Sequence, residues 1–192
     1  MSPSGVLVVD KPTGPTSHDV VAAARRLLRT RAVGHAGTLD PLASGVLLLL
    51  VGEATKLTPW LTAGAKEYRA TIALGRATDT LDAEGETTAE ARLAAGQPDA
   101  GAVDDALEVE RQRRSQVPPA VSAISVGGVR AHRLARRGLA PELPPRDVEV
   151  DELVLERAAG DELVVRVRAS KGYYVRSLAR DLGETLGIPA HF

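Results

Sequence analysis

The sequence contains no cysteine, which excludes disulfide bridges and thiolate metal sites. Its four histidines, at positions 18, 35, 132 and 191, are too scattered to suggest a zinc cluster. No metal or other cofactor is expected, so any chemistry must run on acids, bases and positioning. Aromatic residues make up 3% of the chain, which argues against a broad stacking platform for single-stranded nucleic acid. No segment approaches the roughly 18 apolar residues of a membrane span. The amino terminus has only Val6 to Val9, followed by Asp10-Lys11, and the chain is read as soluble and cytoplasmic. Neither GxGxxG nor GxxxxGK[ST] occurs, so the common nucleotide cradles are absent.

Strong charge of one sign is also lacking: 24 Lys+Arg against 25 Asp+Glu leave a formal net charge of -1. The distribution is more informative than the sum. From Asp79 to Glu110 ten acidic residues face Arg92 alone, whereas from Arg111 to Arg180 fourteen basic residues face eight acidic ones. One face can therefore be basic while the whole is neutral. The same charges also fit an ordinary solvated surface.

At 192 residues the chain suits one sizeable domain with a substantial core. Gly5 to Val9 reads as a buried strand, followed by a Pro- and Gly-punctuated turn over residues 10–15. Thr16 or Ser17 caps a helix, Thr16 and Asp19 having capping-box spacing. Arg25, Arg26, Arg29 and Arg31 load its carboxyl end, which fits a macrodipole match as well as a phosphate site. A short helix is expected over residues 53–63 and an alternating strand over 67–75. Residues 79–101 read as a loosely packed hairpin and loop, and 102–113 as a helix. A basic amphipathic stretch over 129–137 follows Pro118-Pro119. Strands alternate around Ala159-Gly160-Asp161, and a final helix follows Tyr174. The expected fold is α+β, a mixed, mostly antiparallel central sheet flanked by helices, with a basic insertion at about residues 111–145.

The stretch Gly34-His35-Ala36-Gly37-Thr38-Leu39-Asp40-Pro41-Leu42-Ala43-Ser44-Gly45 sets a polar loop against an apolar run, Val46 to Val51. Its glycines let the backbone approach a ligand closely, and the run reads as a fully covered strand. Asp40 is thus expected to be held rigidly beside a core. On residue types alone, Asp40 also reads as a helix N-cap with Pro41 in the first helical position. Likewise, Tyr68 reads as an ordinary half-buried strand tyrosine, His35 as a loop histidine bonded to the backbone, and Arg176 as the partner of Asp181 in a surface ion pair.

Four segments carry a more specific signal. GVLVVDKPTGPTSHDVV (5–21), GHAGTLDPLASGVLLLLVGEATK (34–56), KEYRATIALGRATDTLDAEGE (66–86) and SKGYYVR (170–176) resemble the motifs of the pseudouridine synthases that modify the T loop of tRNA. The resemblance runs over residues 5–188. It implies that Asp40 is the catalytic aspartate, that Tyr68 stacks on the target uracil and acts in proton transfer at the base, and that Arg176 keeps the aspartate ionised in the same cleft. Tyr174 and Arg176 occupy the Tyr and Arg positions of the family's SKGTYIR-type motif. Lys11 is implied as structural support of the site, with His35, Gly37 and Thr38 on the substrate side. His35 is the side chain read as filling the space that a flipped-out base vacates.

The implied partner is the T stem-loop of tRNA, gripped through the insertion by Arg130, Arg133, Arg136 and Arg137. No membrane and no protein partner are implied, and the chain is read as a monomer. Three positions depart from the family pattern: Val121 and His132 replace usual tyrosines, and Ser125 a usual lysine. Residues 1–192 read as the catalytic domain alone, stopping before the family's last strand and the PUA-like carboxyl-terminal domain of many members. Two other functions stay open. One is a guide-RNA-dependent synthase of the same superfamily, disfavoured because the first motif begins at Gly5. The other is a tRNA-binding folding helper whose catalysis is weak or lost through truncation.

Overall fold

The computed structural model describes residues 3–93, 98–122, 124–126, 129–131 and 143–192. Two compact units are present, Met1–Gly64 and Ala65–Phe192.

In the first unit, strand β1 (Gly5–Lys11), helix α1 (Ser17–Leu27), strands β2 (Val33–His35) and β3 (Gly45–Val51), a 3-10 turn (Gly52–Leu57) and helix α2 (Thr58–Ala63) follow in order. The expected helix over 53–63 is thus split. The sheet is antiparallel with order β1-β3-β2. Thr16 forms the capping box of α1 with Asp19, as the spacing predicts. Val21 and Ala24 of α1 pack with Val33, Leu47, Leu49 and Val51, the odd-numbered face of β3. The expectation that β1 and β3 are covered on both faces needs correction. Val8 and Val46 are 71% and 69% exposed. They lie on the sheet face turned away from those helix contacts, where a single helix layer cannot reach. At the end of α1, Arg25 donates to the Val33 carbonyl (2.8 Å), so it braces β2.

The second unit comprises strands β4 (Lys66–Leu74), β5 (Arg76–Thr78) and β6 (Thr87–Glu90), helix α3 (Ala100–Arg111), strands β7 (Ser115–Gln116), β8 (Ser125–Val126), β9 (Val129–Arg130), β10 (Arg146–Asp147), β11 (Val150–Ala159) and β12 (Glu162–Ala169), helix α4 (Val175–Leu186) and strand β13 (Ala190–His191). Its main sheet is antiparallel, in the order β11-β12-β4-β13. Ala70, Ile72 and Leu74 alternate onto the face that joins α3 (Val103, Ala106, Leu107) and α4 (Leu178, Ala179, Leu182) in one core. Close packing of α4 depends on Gly183, where a Cβ would come within 2.7 Å of the Ile188 carbonyl oxygen and 2.8 Å of the Ala190 Cβ. The hairpin expected in 79–101 is present, β5 pairing with the exposed β6, and it is pinned where the buried Thr78 hydroxyl donates to the Asp82 carbonyl (2.7 Å). The architecture is α+β with antiparallel sheets, as the residue pattern predicts.

Candidate active site

Asp40 sits in the loop between β2 and β3, and both of its chain neighbours are anchored. The Ser17 hydroxyl brackets Leu39, accepting from its N–H (2.9 Å) and donating to its carbonyl (3.0 Å). The Pro41 carbonyl accepts from Gly14 N–H (2.8 Å) and lies 3.5 Å from the Lys11 Nζ. Lys11, wholly buried, also donates to the carbonyls of Pro12 (2.8 Å) and Pro15 (2.9 Å). One ammonium thus ties the 12–15 turn to the Asp40 loop, satisfying its own donors as a buried charge requires. Gly37 has φ 137°, a conformation closed to most side chains, and it turns the chain out of β2 toward Thr38. The helix-cap reading of Asp40 is corrected here. Ala43 N–H donates to the Asp40 carbonyl (3.0 Å) in a turn, and no helix starts there. Without a run of apolar positions at helical spacing after Pro41, the cap has nothing to propagate.

His35, on β2, pairs in register with Leu49. Its Nδ1 is buried and has no hydrogen-bond partner among the described residues, so that nitrogen does not make the backbone bond read from sequence.

Tyr68, Tyr174 and Arg176 belong to the second unit. Tyr68 lies on β4 opposite Val167, half-buried at the margin of the core. Arg176 is the second residue of α4 and is only 7% exposed. Its Nη1 donates to the Thr80 carbonyl (3.1 Å) and lies 3.4 Å from Asp82 Oδ2. Asp82 is fixed in turn, since its Oδ1 accepts from the Thr80 hydroxyl (2.6 Å) and from Glu84 N–H (3.2 Å). Beside it Leu81 has φ 62°, a left-handed conformation that costs a leucine about 1–2 kcal/mol. The Leu81 carbonyl accepts from Phe192 N–H (3.0 Å). Such local strain clusters at functional sites. The ion pair read from sequence between Arg176 and Asp181 is replaced: Asp181 is engaged by Arg180 (2.7 Å) and by Arg113 (3.5 Å), and the helical arrangement points Arg176 toward the turn carrying Asp82.

Asp82 is the residue that sequence reasoning missed. It lies inside the segment 66–86, but 94 positions separate it from Arg176, and no periodicity links the two. Glu110 was missed as well. Buried on α3, it accepts from the Tyr173 hydroxyl (2.8 Å) and from Arg113 Nε. Burial holds its carboxyl above the ordinary glutamate range, and burial with the neighbouring carboxylate raises the Tyr173 phenol so that it stays a donor.

Of the arginines assigned to RNA grip, Arg130 has its backbone in β9, while Arg133, Arg136 and Arg137 lie outside the described residues, as does His132. Among the described residues no group of three or more histidines and acids is placed to hold a metal ion, and no helix is long and apolar enough to cross a membrane.

Comparison with known proteins sets this geometry in context. The TruB family pseudouridylate synthase (N terminal domain) matches residues 25–175. Curated relatives named tRNA pseudouridine synthase B are 52% identical over 197 residues in Mycobacterium avium (strain 104), covering 100% of this chain and 62% of that protein, and 48% identical over 191 residues in Mycobacterium tuberculosis (strain ATCC 25618 / H37Rv), covering 97% and 63%. The chain therefore spans a little under two thirds of the length of these relatives. Among solved structures, a chain from a Cbf5-Nop10-Gar1 complex aligns with a TM-score of 0.72 at 28% identity, covering 97% of this chain and 46% of that one. Another, from an H/ACA RNP bound to a substrate RNA containing 2'-deoxyuridine, aligns with a TM-score of 0.64 at 27% identity, over 97% and 44%. Through a match that takes in the Asp40 loop, Tyr68, Asp82 and Tyr174 and ends one residue short of Arg176, this chain belongs to the TruB family of pseudouridylate synthases.

Proposed function

We propose that the chain isomerises the T-loop uridine of tRNA, position 55, to pseudouridine, without a cofactor and as a cytoplasmic monomer. The observation that supports this most is the anchoring of Asp40 between Leu39 and Pro41, in a chain of this family. Pseudouridine formation breaks the N1–C1' bond of uridine, turns the base and joins C5 to C1'; C5 loses its proton, N1 gains one, and no electrons are exchanged with any other molecule. Such a reaction needs an ionised carboxylate, a cation that keeps it ionised, and a surface that holds the detached uracil. Asp40, Arg176 and Tyr68 supply these three in this reading. Arg176 orients charge through its planar donor fork, Asp82 and the Thr80 carbonyl hold the guanidinium, and Tyr68 presents a ring face to the base. A base inside a folded T loop must be flipped out, and the unstacking costs a few kcal/mol. His35, with an unmet ring nitrogen, fills the space left behind.

Asp40→Asn, nearly isosteric, is expected to lower release of tritium from uracil C5 by roughly ten-thousand-fold or more, with tRNA affinity close to wild type. Near-normal turnover removes Asp40 from the mechanism. If neither protein releases tritium and both accelerate tRNA refolding equally, the chain is a folding helper.

A further inference from the structure

We propose that Gln116 is a positioning residue for Arg176, holding the start of α4 through the backbone of Tyr174. The inference rests on the reading of Arg176 as a group that acts at the uridine.

Gln116 is 2% exposed, an unusual state for a glutamine. Its side-chain amide bonds through both its nitrogen and its oxygen to one distant residue. Nε2 donates to the Tyr174 carbonyl (3.2 Å), and Oε1 accepts from Tyr174 N–H (2.8 Å). This two-point bond imitates a rung of a sheet and fixes both the position and the plane of the Tyr174 peptide groups. Tyr174 is the N-cap of α4, and no side chain caps that helix. Arg176 is two residues further on. The next carbonyl in the chain completes the hold, because Val117 O accepts from the Ser177 hydroxyl (2.8 Å) and from Arg180 Nη2 (3.0 Å). Thus Gln116-Val117 grips three successive levels of α4, with Arg176 between the first two.

Gln116 also lies within the expected insertion, about residues 111–145, and is paired to its far end. Ser115 and Gln116 pair with Asp147 and Arg146 of β10, so the segment between residues 117 and 145 enters and leaves through one short ladder. A generic core contact would explain the burial of Gln116. It would not require both amide atoms on the N–H and the carbonyl of one residue, two positions before the arginine. Misplacing a catalytic group by about 1 Å costs about a hundredfold in rate, which sets the scale of the effect.

The test uses the whole chain with Gln116→Met, which keeps the length and loses both hydrogen bonds, and Gln116→Asn, which keeps the amide but draws it back by one methylene. For both, kcat is expected to fall between about tenfold and a hundredfold with KM for tRNA within about twofold. Amide exchange at Tyr174 is expected to speed up while the later amides of α4 keep their protection. If Gln116→Met fails to fold, Gln116→Asn decides. Unchanged kcat in the folded variant, or a loss carried by KM alone, overturns the proposal, whatever the exchange shows. Absence of turnover in the wild type sinks the parent reading, and the role of Gln116 with it; normal wild-type turnover with a normal Gln116→Asn sinks only the role of Gln116.

Discussion

A guanidinium presents its donors in a fixed plane, whereas an ammonium is a compact point charge, and position 176 depends on the difference. Arg176 spends Nη1 on the Thr80 carbonyl and on Asp82 while nearly excluded from water. A lysine there keeps the charge but loses the planar fork that, on the proposed function, holds the turn and faces the uridine at once. Arg176→Lys is expected to lose about a hundredfold or more in turnover with tRNA binding retained, and combining it with Asp40→Asn is expected to add little, since groups that act as a unit are not additive. Tritium release from the single and double variants measures both; fully additive losses mean that the two residues work separately. The arginine itself was legible as a motif position, but its partner was not. Nothing in residues 79–93 marks Asp82 among the other acids there, because its importance comes from the Leu81 turn and from a contact made across the fold.

At the scale of elements, local rules did most of the work. The Thr16–Asp19 box starts α1, alternation marks β4, and a left-handed Gly187 ends α4 with φ 66°. The pairing of α3 with α4 is a different matter. Beside their shared apolar core it carries a polar cluster of the buried Glu110, Tyr173 and Asp181 with the half-buried Arg113 and Arg180, whose members are drawn from both helices, the segment after the first and the loop before the second. Burial raises the Glu110 carboxyl above its ordinary 4.5. The folded state therefore binds that proton more tightly than the unfolded chain. The resulting stability is fully present below 4.5 and is lost as pH rises through the folded value. Glu110→Gln carries no such proton. Urea midpoints taken from about pH 4 to about pH 7 should show the wild type losing ground to the variant as pH rises; a constant gap between the two proteins would mean that Glu110 titrates as it does in the unfolded chain.

For the whole molecule, with a net charge of -1, the proposed function places affinity for RNA on the local run of arginines. Arg130→Ala, Arg133→Ala and Arg136→Ala are each expected to weaken tRNA binding and to reduce the slope of log affinity against log salt by roughly 0.7 to 1. Filter binding between about 50 and 200 mM salt measures the slope, and unchanged slopes take these arginines out of the interface. The α+β class and the run of strands and helices were legible at this scale, because each unit buries apolar faces of regular period. Coverage was not legible. Val8 and Val46 have the residue types of buried strand positions yet stand exposed, since periodicity reports which residues share a face and not whether anything packs upon it.

By itself the sequence determined most of the main strands and helices, the capping box of α1, and the loop that carries Asp40, because each of these follows from interactions among residues a few positions apart. Only the tertiary structure decided what Arg176 touches, why Lys11 and Gln116 are buried, and which two carboxylates, Glu110 and Asp181, face the one Arg113 guanidinium. Those outcomes depend on which distant backbone carbonyls and amides remain unpaired after the chain has folded, a quantity that no local spacing contains.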